Sequence, residues 1–126
     1  MPSLPTTEPR LPLFAFGTLR RGEANHRLLE NRFDRCLPAT LPGFCRTIAS
    51  HGFLVVIVAA GETVEGELFF LRDETYDESL RRCDELEDIS PGETSGPYYR
   101  RVRRIVTTSE GPHAAWVYAD PLTPAD

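Results

Sequence analysis

The sequence predicts an α+β fold. Six short runs rich in β-branched and aromatic residues alternate with turn-forming residues, and one central segment switches to helical spacing. A length of 126 residues is enough to bury about two thirds of the unfolded surface, hence one domain with one core. Hydrophobic residues at 40% and charged residues at 26% lie near globular averages, which excludes disordered and fibrous classes.

The elements follow in chain order. Met1–Arg10 holds three prolines and no apolar pattern, so residues 1–10 are expected to be a flexible tail, as are 121–126 with Pro121 and Pro124. The domain is expected over 11–120. Leu11 to Phe16 is an apolar run halted by Gly17, as suits a buried strand ending in a tight loop. Glu23 to Arg32 carries Leu28 and Leu29 among polar residues and predicts a short helix. Thr40–Ile48, Phe53–Ala59 and Val64–Leu71 predict three antiparallel strands, separated by His-Gly and Ala-Gly-Glu turns. Thr75 to Glu87 predicts a helix, Pro91 to Pro97 a loop, and Tyr98–Thr107 with His113–Tyr118 a final strand pair turning at Ser109-Glu110-Gly111.

Charge and composition limit the partners. A net charge of -5 argues against a dedicated nucleic-acid binder, because phosphates demand a basic surface. The arginines of Tyr98-Tyr99-Arg100-Arg101-Val102-Arg103-Arg104 would split between the two faces of a strand rather than form one stripe. The longest uncharged apolar run, Gly52 to Gly61, is about half of a membrane span, and no basic-then-apolar leader opens the chain. A cytoplasmic protein that binds neither membrane nor nucleic acid is expected, its oligomeric state left open. Cys36, Cys45 and Cys83 form no Cys-x-x-Cys pair and read as small apolar residues. His26, His51 and His113 lack a zinc-protease spacing, and there is no Gly-x-Ser-x-Gly elbow.

Two features carry chemistry. At about 100° per residue, Tyr76, Leu80, Cys83 and Leu86 make one apolar stripe. Glu87 falls inside that stripe, Asp84 at its edge, and Glu78, Arg81, Arg82 and Glu85 point away. Either the last turn frays and leaves Glu87 solvated, or an inward arginine pairs with it, or a partly buried carboxylate with a raised pKa serves as a general base. The second feature is Phe16-Gly17-Thr18-Leu19-Arg20-Arg21-Gly22, whose backbone N–H groups could form an anion-binding turn. It is not a nucleotide loop, since Glu23 and Ala24 stand where Lys and Ser or Thr are required. An ordinary strand-to-helix turn is the alternative.

Taken in order, these segments resemble the γ-glutamylcyclotransferase family, including its AIG2-like branch. The Tyr-Gly-Ser/Thr-Leu opening corresponds to Phe16-Gly17-Thr18-Leu19, followed by Arg20-Arg21-Gly22 and Asn25-His26. Leu41-Pro42-Gly43-Phe44, Val64-Glu65-Gly66-Glu67-Leu68-Phe69, Asp84-Glu85-Leu86-Glu87 and Ala115-Trp116-Val117-Tyr118 continue the pattern. Tyr98 with Arg100 fits the family's Tyr-x-Arg, and Tyr99 with Arg101 is the other register. The departures are Phe16 for Tyr, Asp88 for the Gly that often follows the catalytic Glu, and Phe53-Leu54 for Pro-Ala.

The resemblance implies a small mixed β-barrel flanked by a few helices. It also implies release of an amine or amino acid from a γ-glutamyl amide with formation of 5-oxoproline, without metal or organic cofactor. Glu87 would be the general acid/base, and Phe16, Gly17, Thr18, Leu19 and Tyr98 would hold the small-molecule γ-glutamyl substrate. Ser90 to Pro97 would read the rest of the substrate, whether a γ-glutamyl amino acid, a γ-glutamyl-ε-lysine isopeptide or another γ-glutamylated amine. A non-catalytic ligand-binding or regulatory domain of the same fold is the alternative.

Overall fold

A computed structural model describes residues 10–125. The expected tail at 1–10 therefore lies almost wholly outside the described residues. Five strands close into a barrel in the order β1-β3-β2-β4-β5, with β1 Leu13–Ala15, β2 Phe33–Ile48, β3 Leu54–Leu71, β4 Arg100–Thr108 and β5 Gly111–Ala119. All neighbours are antiparallel except β1 and β5, which meet in parallel at Leu13 and Trp116 and so close the ring. One α-helix, α1 (Tyr76–Leu86), follows a 3-10 turn at Asp73–Thr75.

Alternation along the strands builds two apolar clusters. Phe14, Phe16, Leu41, Phe44, Val102 and Val117 point into the barrel. Leu13, Phe69, Trp116 and Tyr118, one position out of phase, point outward beneath Tyr76, Leu80 and Cys83 of α1. The helix is thus pinned against the outside of the barrel. This amphipathic stripe is the one anticipated.

Several boundaries differ from expectation. The two strands read at Phe53–Ala59 and Val64–Leu71 are one strand, β3, and the Ala-Gly-Glu turn between them is a bulge. Pro42 pairs with Thr63 and Phe44 with Val58, so residues 59–62 stand opposite Gly43 alone. Gly43 and Gly61, at φ 82° and 83°, supply the left-handed backbone this requires. Strand β2 starts at Phe33 rather than Thr40, its first half pairing with the end of β3. The helix expected over Glu23–Arg32 is a 3-10 turn, His26–Leu28, within a chain of reverse turns. Strand β4 begins at Arg100, leaving Tyr98 and Tyr99 in the loop before it.

The arginines of β4 go separate ways. Arg101 is buried beside α1, while Arg100 and Arg104 donate to the carbonyls of Thr123, Pro124 and Ala125. Those bonds tie much of the expected 121–126 tail to the barrel, and Thr123 is buried. Among the described residues no helix is long and apolar enough to cross a membrane.

Candidate active site

The last turn of α1 does not fray. Glu87 N–H bonds to the Cys83 and Asp84 carbonyls at 3.2 and 3.0 Å, which holds its side chain in helical phase and half-buried. Asp88 then turns the chain at φ 58°, the left-handed position where helices commonly end in glycine. The family departure at this residue is therefore an aspartate in a glycine conformation. Burial, then the charges of Asp88 and Asp84, push the Glu87 carboxyl up to about 7.

The inward arginine exists, but it serves Asp84. Arg101 Nε lies 3.0 Å from Asp84 Oδ1, their side chains only 4% and 12% exposed, and the Tyr118 hydroxyl donates to the same oxygen at 2.6 Å. The guanidinium also stacks on Trp116 at 4.5 Å. Placing Asp84 at the edge of the stripe is thus corrected: it is buried at the centre of a polar network. Glu87 has no side-chain hydrogen bond or ion pair among the described residues.

Across from the helix end, β1 runs into the Gly17 loop. Its carbonyls are taken: Gly17 by Arg20, Thr18 by Asn25, and Leu19 by a ring nitrogen of His26. Among the described residues the N–H groups of Gly17, Thr18 and Leu19 find no protein acceptor. The far end of the loop is clamped, since Arg21 N–H and Nε donate to the two Glu67 carboxylate oxygens at 2.7 and 2.9 Å. Burial alone would raise the Glu67 pKa, but these bonds hold it below the ordinary range.

Between loop and helix end lies a cavity of about 310 Å³. Phe16, Gly17, Thr18 and Leu19 line one side, Glu87 and Asp88 another, and Tyr98 a third, so the residues named from sequence share one space. Phe16 is both a barrel-core residue and a wall of this cavity. Tyr99 lines it too. Its hydroxyl donates to the Leu54 carbonyl at 2.7 Å, and burial and the Glu87 charge push its pKa up to about 12. Both tyrosines therefore line the cavity, Tyr98 packing on His51 and Phe53 and Tyr99 bracing Leu54.

Asn25, Leu54 and Tyr118 also line the cavity and were not expected there, although each lies within a segment that carries the family resemblance or a departure from it; Tyr99 was expected only as the alternative to Tyr98. The Ser90–Pro97 loop does not line this cavity. Pro91, Gly92, Glu93 and Thr94 instead border a second one of about 270 Å³ on the Asp84 and Arg101 side of α1. No group of three or more His, Cys, Asp or Glu side chains suited to a metal occurs among the described residues. Cys36 and Cys83 are pushed up to about 11 and 12, chiefly by burial, and remain thiols.

Comparison with known proteins bears on what this arrangement is. The family model for gamma-glutamyl cyclotransferase, AIG2-like proteins matches residues 13–124. The gamma-L-glutamyl-butirosin B gamma-glutamyl cyclotransferase of Niallia circulans is 32% identical over 107 residues, covering 84% of this chain and 64% of its own length. Among solved structures, YkqA from Bacillus subtilis superposes with a TM-score of 0.64 at 21% identity, over 92% of this chain and 39% of YkqA. A gamma-glutamyl cyclotransferase structure gives 0.59 at 17% identity, over 87% of this chain and 66% of that one. The chain spans less than two thirds of the curated relative's length, while the family model matches it from the first strand past the last. It belongs to the gamma-glutamyl cyclotransferase, AIG2-like family.

Proposed function

We propose that this protein releases an amine from a γ-glutamyl amide by cyclising the γ-glutamyl group to 5-oxoproline, with Glu87 moving the protons. The observation that carries this reading is the pairing, within one cavity, of an unpaired half-buried carboxylate with a pKa near neutrality and a loop of unoccupied backbone N–H groups.

The chemistry is intramolecular. The substrate α-ammonium gives a proton to Glu87, and the freed amine attacks the γ-carbonyl carbon, forming the lactam C–N bond. The loop N–H groups of Gly17 to Leu19 would stabilise the developing oxyanion or hold the α-carboxylate. As the original amide C–N bond breaks, Glu87 returns its proton to the departing nitrogen, and the second proton of the new ring nitrogen passes by way of the freed Glu87 carboxylate to the released amine, leaving the neutral lactam and an ammonium. Holding the glutamyl chain curled supplies most of the rate through effective molarity, so the residues mainly position and transfer protons. A base with a pKa of about 7 is ionised enough to accept and acidic enough to donate in the same cycle.

The test is a panel of γ-glutamyl amides incubated in oxygen-18 water, with products read by mass spectrometry. Cyclisation predicts 5-oxoproline and free amine with no heavy oxygen incorporated. Glutamate carrying heavy oxygen would mean hydrolysis and would contradict the proposal, as would no turnover of any amide.

A further inference from the structure

One residue holds both feet of the Gly17 loop. Glu67 stands opposite Ala15 in the β1–β3 register, so the sheet fixes at that point the strand end from which the loop departs. Its carboxylate fixes the return. Oε1 accepts the Arg21 backbone N–H at 2.7 Å, and Oε2 accepts Arg21 Nε at 2.9 Å and the Cys36 thiol at 3.8 Å. Residues 16–20 thus span between two points on a single strand residue. Within the span, Arg20 N–H and Nε both turn back to the Gly17 carbonyl, at 3.1 and 3.3 Å.

The clamp sits behind the cavity wall. Gly17, Thr18 and Leu19 line the cavity, whereas Arg21, Cys36 and Glu67 do not. The rest of the hold comes from Asn25, whose N–H and Nδ2 meet the Thr18 carbonyl and hydroxyl at 2.9 Å each, and from His26, 3.0 Å from the Leu19 carbonyl. Both follow Arg21 and Gly22 in the chain, Gly22 turning at φ 83°, so their placement depends on where the Arg21 foot stands. These contacts engage carbonyls and side chains, which leaves the three loop N–H groups for an incoming acceptor. A row of amides serves an acceptor only while its spacing is kept, and a displacement of about 1 Å is costly at such a site. The two bonds from Arg21 differ in weight. Its side chain is 56% exposed, so the ion pair is solvated and weak, and the backbone bond is the one that sets where the loop returns.

We infer that Glu67 is a positioning residue: by fixing both feet of the loop it presents the N–H groups of Gly17, Thr18 and Leu19 to the glutamyl α-carboxylate, through the reach of its carboxyl oxygen rather than through its charge. This rests on the proposed γ-glutamyl reading of the same cavity. The α-carboxylate is present before and throughout the reaction, so the effect falls on affinity and KM and leaves kcat nearly unchanged.

Two substitutions separate reach from charge. Glu67→Gln keeps an oxygen for the Arg21 N–H and gives up the charge, the exposed Arg21 side chain turning to solvent. Glu67→Asp keeps the charge and withdraws it by one methylene. The probe is 5-oxoproline, its affinity read by calorimetry, together with KM and kcat for an amide found active in the panel. Glu67→Asp should raise Kd and KM about tenfold or more, with kcat changed by less than about threefold. Glu67→Gln and Arg21→Ala should each stay within about threefold of wild type. Val106→Ala truncates a buried β4 residue that lines neither cavity, so it should lower Tm and leave Kd unchanged. Wild-type Kd and KM in Glu67→Asp overturn the positioning role, as do a Glu67→Gln protein as weak as Glu67→Asp, a loss confined to kcat, or an equal loss in Val106→Ala. Each of these leaves the cyclotransferase reading intact. The expected affinity losses with no 5-oxoproline released from any amide overturn only that reading. No turnover together with no binding of 5-oxoproline to wild type overturns both.

Discussion

At the residue scale, Glu87 is kept at a cost to the fold. Its folded pKa of about 7 lies above the roughly 4.3 of an unfolded glutamate, so the native state binds the proton more tightly. The stabilisation is fully present below the unfolded value and is lost as pH rises through the folded one. Glu87→Gln should therefore gain stability over wild type at pH 8, on the order of 2 kcal/mol, and little or none at pH 4. Urea unfolding at the two pH values checks this, and an equal difference at both would contradict it. Asp84 instead stabilises the fold: Asp84→Asn removes the charge that faces the buried Arg101 guanidinium at 3.0 Å and should cost about 2–4 kcal/mol in the same assay. The helical wheel correctly aimed Glu87 inward but misjudged Asp84. A wheel knows only its own helix, and the arginine that draws Asp84 in comes from a strand 17 residues further on.

At the element scale, the close approach of β1 to β3 fixes where the Gly17 loop begins. A Cβ on Gly66 would overlap the Ala15 carbonyl oxygen and come within 2.7 Å of the Phe14 ring. Gly66→Ala should destabilise by about 2 kcal/mol or more and move the loop with β1, raising KM for any γ-glutamyl amide. Wild-type stability and KM would show that the strands can part there. At the other wall, Asp88→Gly relieves a left-handed aspartate and removes a charge that raises the Glu87 pKa. Stability should rise by up to about 1 kcal/mol and the acid limb of the pH-rate profile should shift downward. A limb that stays in place would show that burial alone sets the pKa. Strand and helix periodicities were legible in the sequence at this scale. The continuity of β3 was not, because a bulge built on Gly61 has the composition of a hairpin turn. The helix expected from Leu28 and Leu29 failed for a related reason: the intervening backbone is spent on reverse turns closing Glu23 on Arg20 and Asn25 on Thr18.

At the scale of the whole molecule, the cavity is assembled from the end of β1, the start of β3, the end of α1 and the loop entering β4. No single segment holds a site, and barrel closure through β1 and β5 is what brings Tyr118, Gly17 and Glu87 to one place. Motif order made the family legible, and with it the loop and the acid. The wall formed by Phe53, Leu54 and Tyr99 was less legible because it depends on which residues a closed barrel sets side by side. The measurement that bears most directly on the central claim is the pH dependence of 5-oxoproline release by wild type and Glu87→Gln, using an amide found active in the panel. Wild-type kcat/KM should rise with pH through about 7 and then level, and Glu87→Gln should be slower by at least about 10² at the plateau while still binding the amide. A folded Glu87→Gln protein that releases 5-oxoproline at the wild-type rate would contradict the assignment of Glu87 as the proton-transfer group.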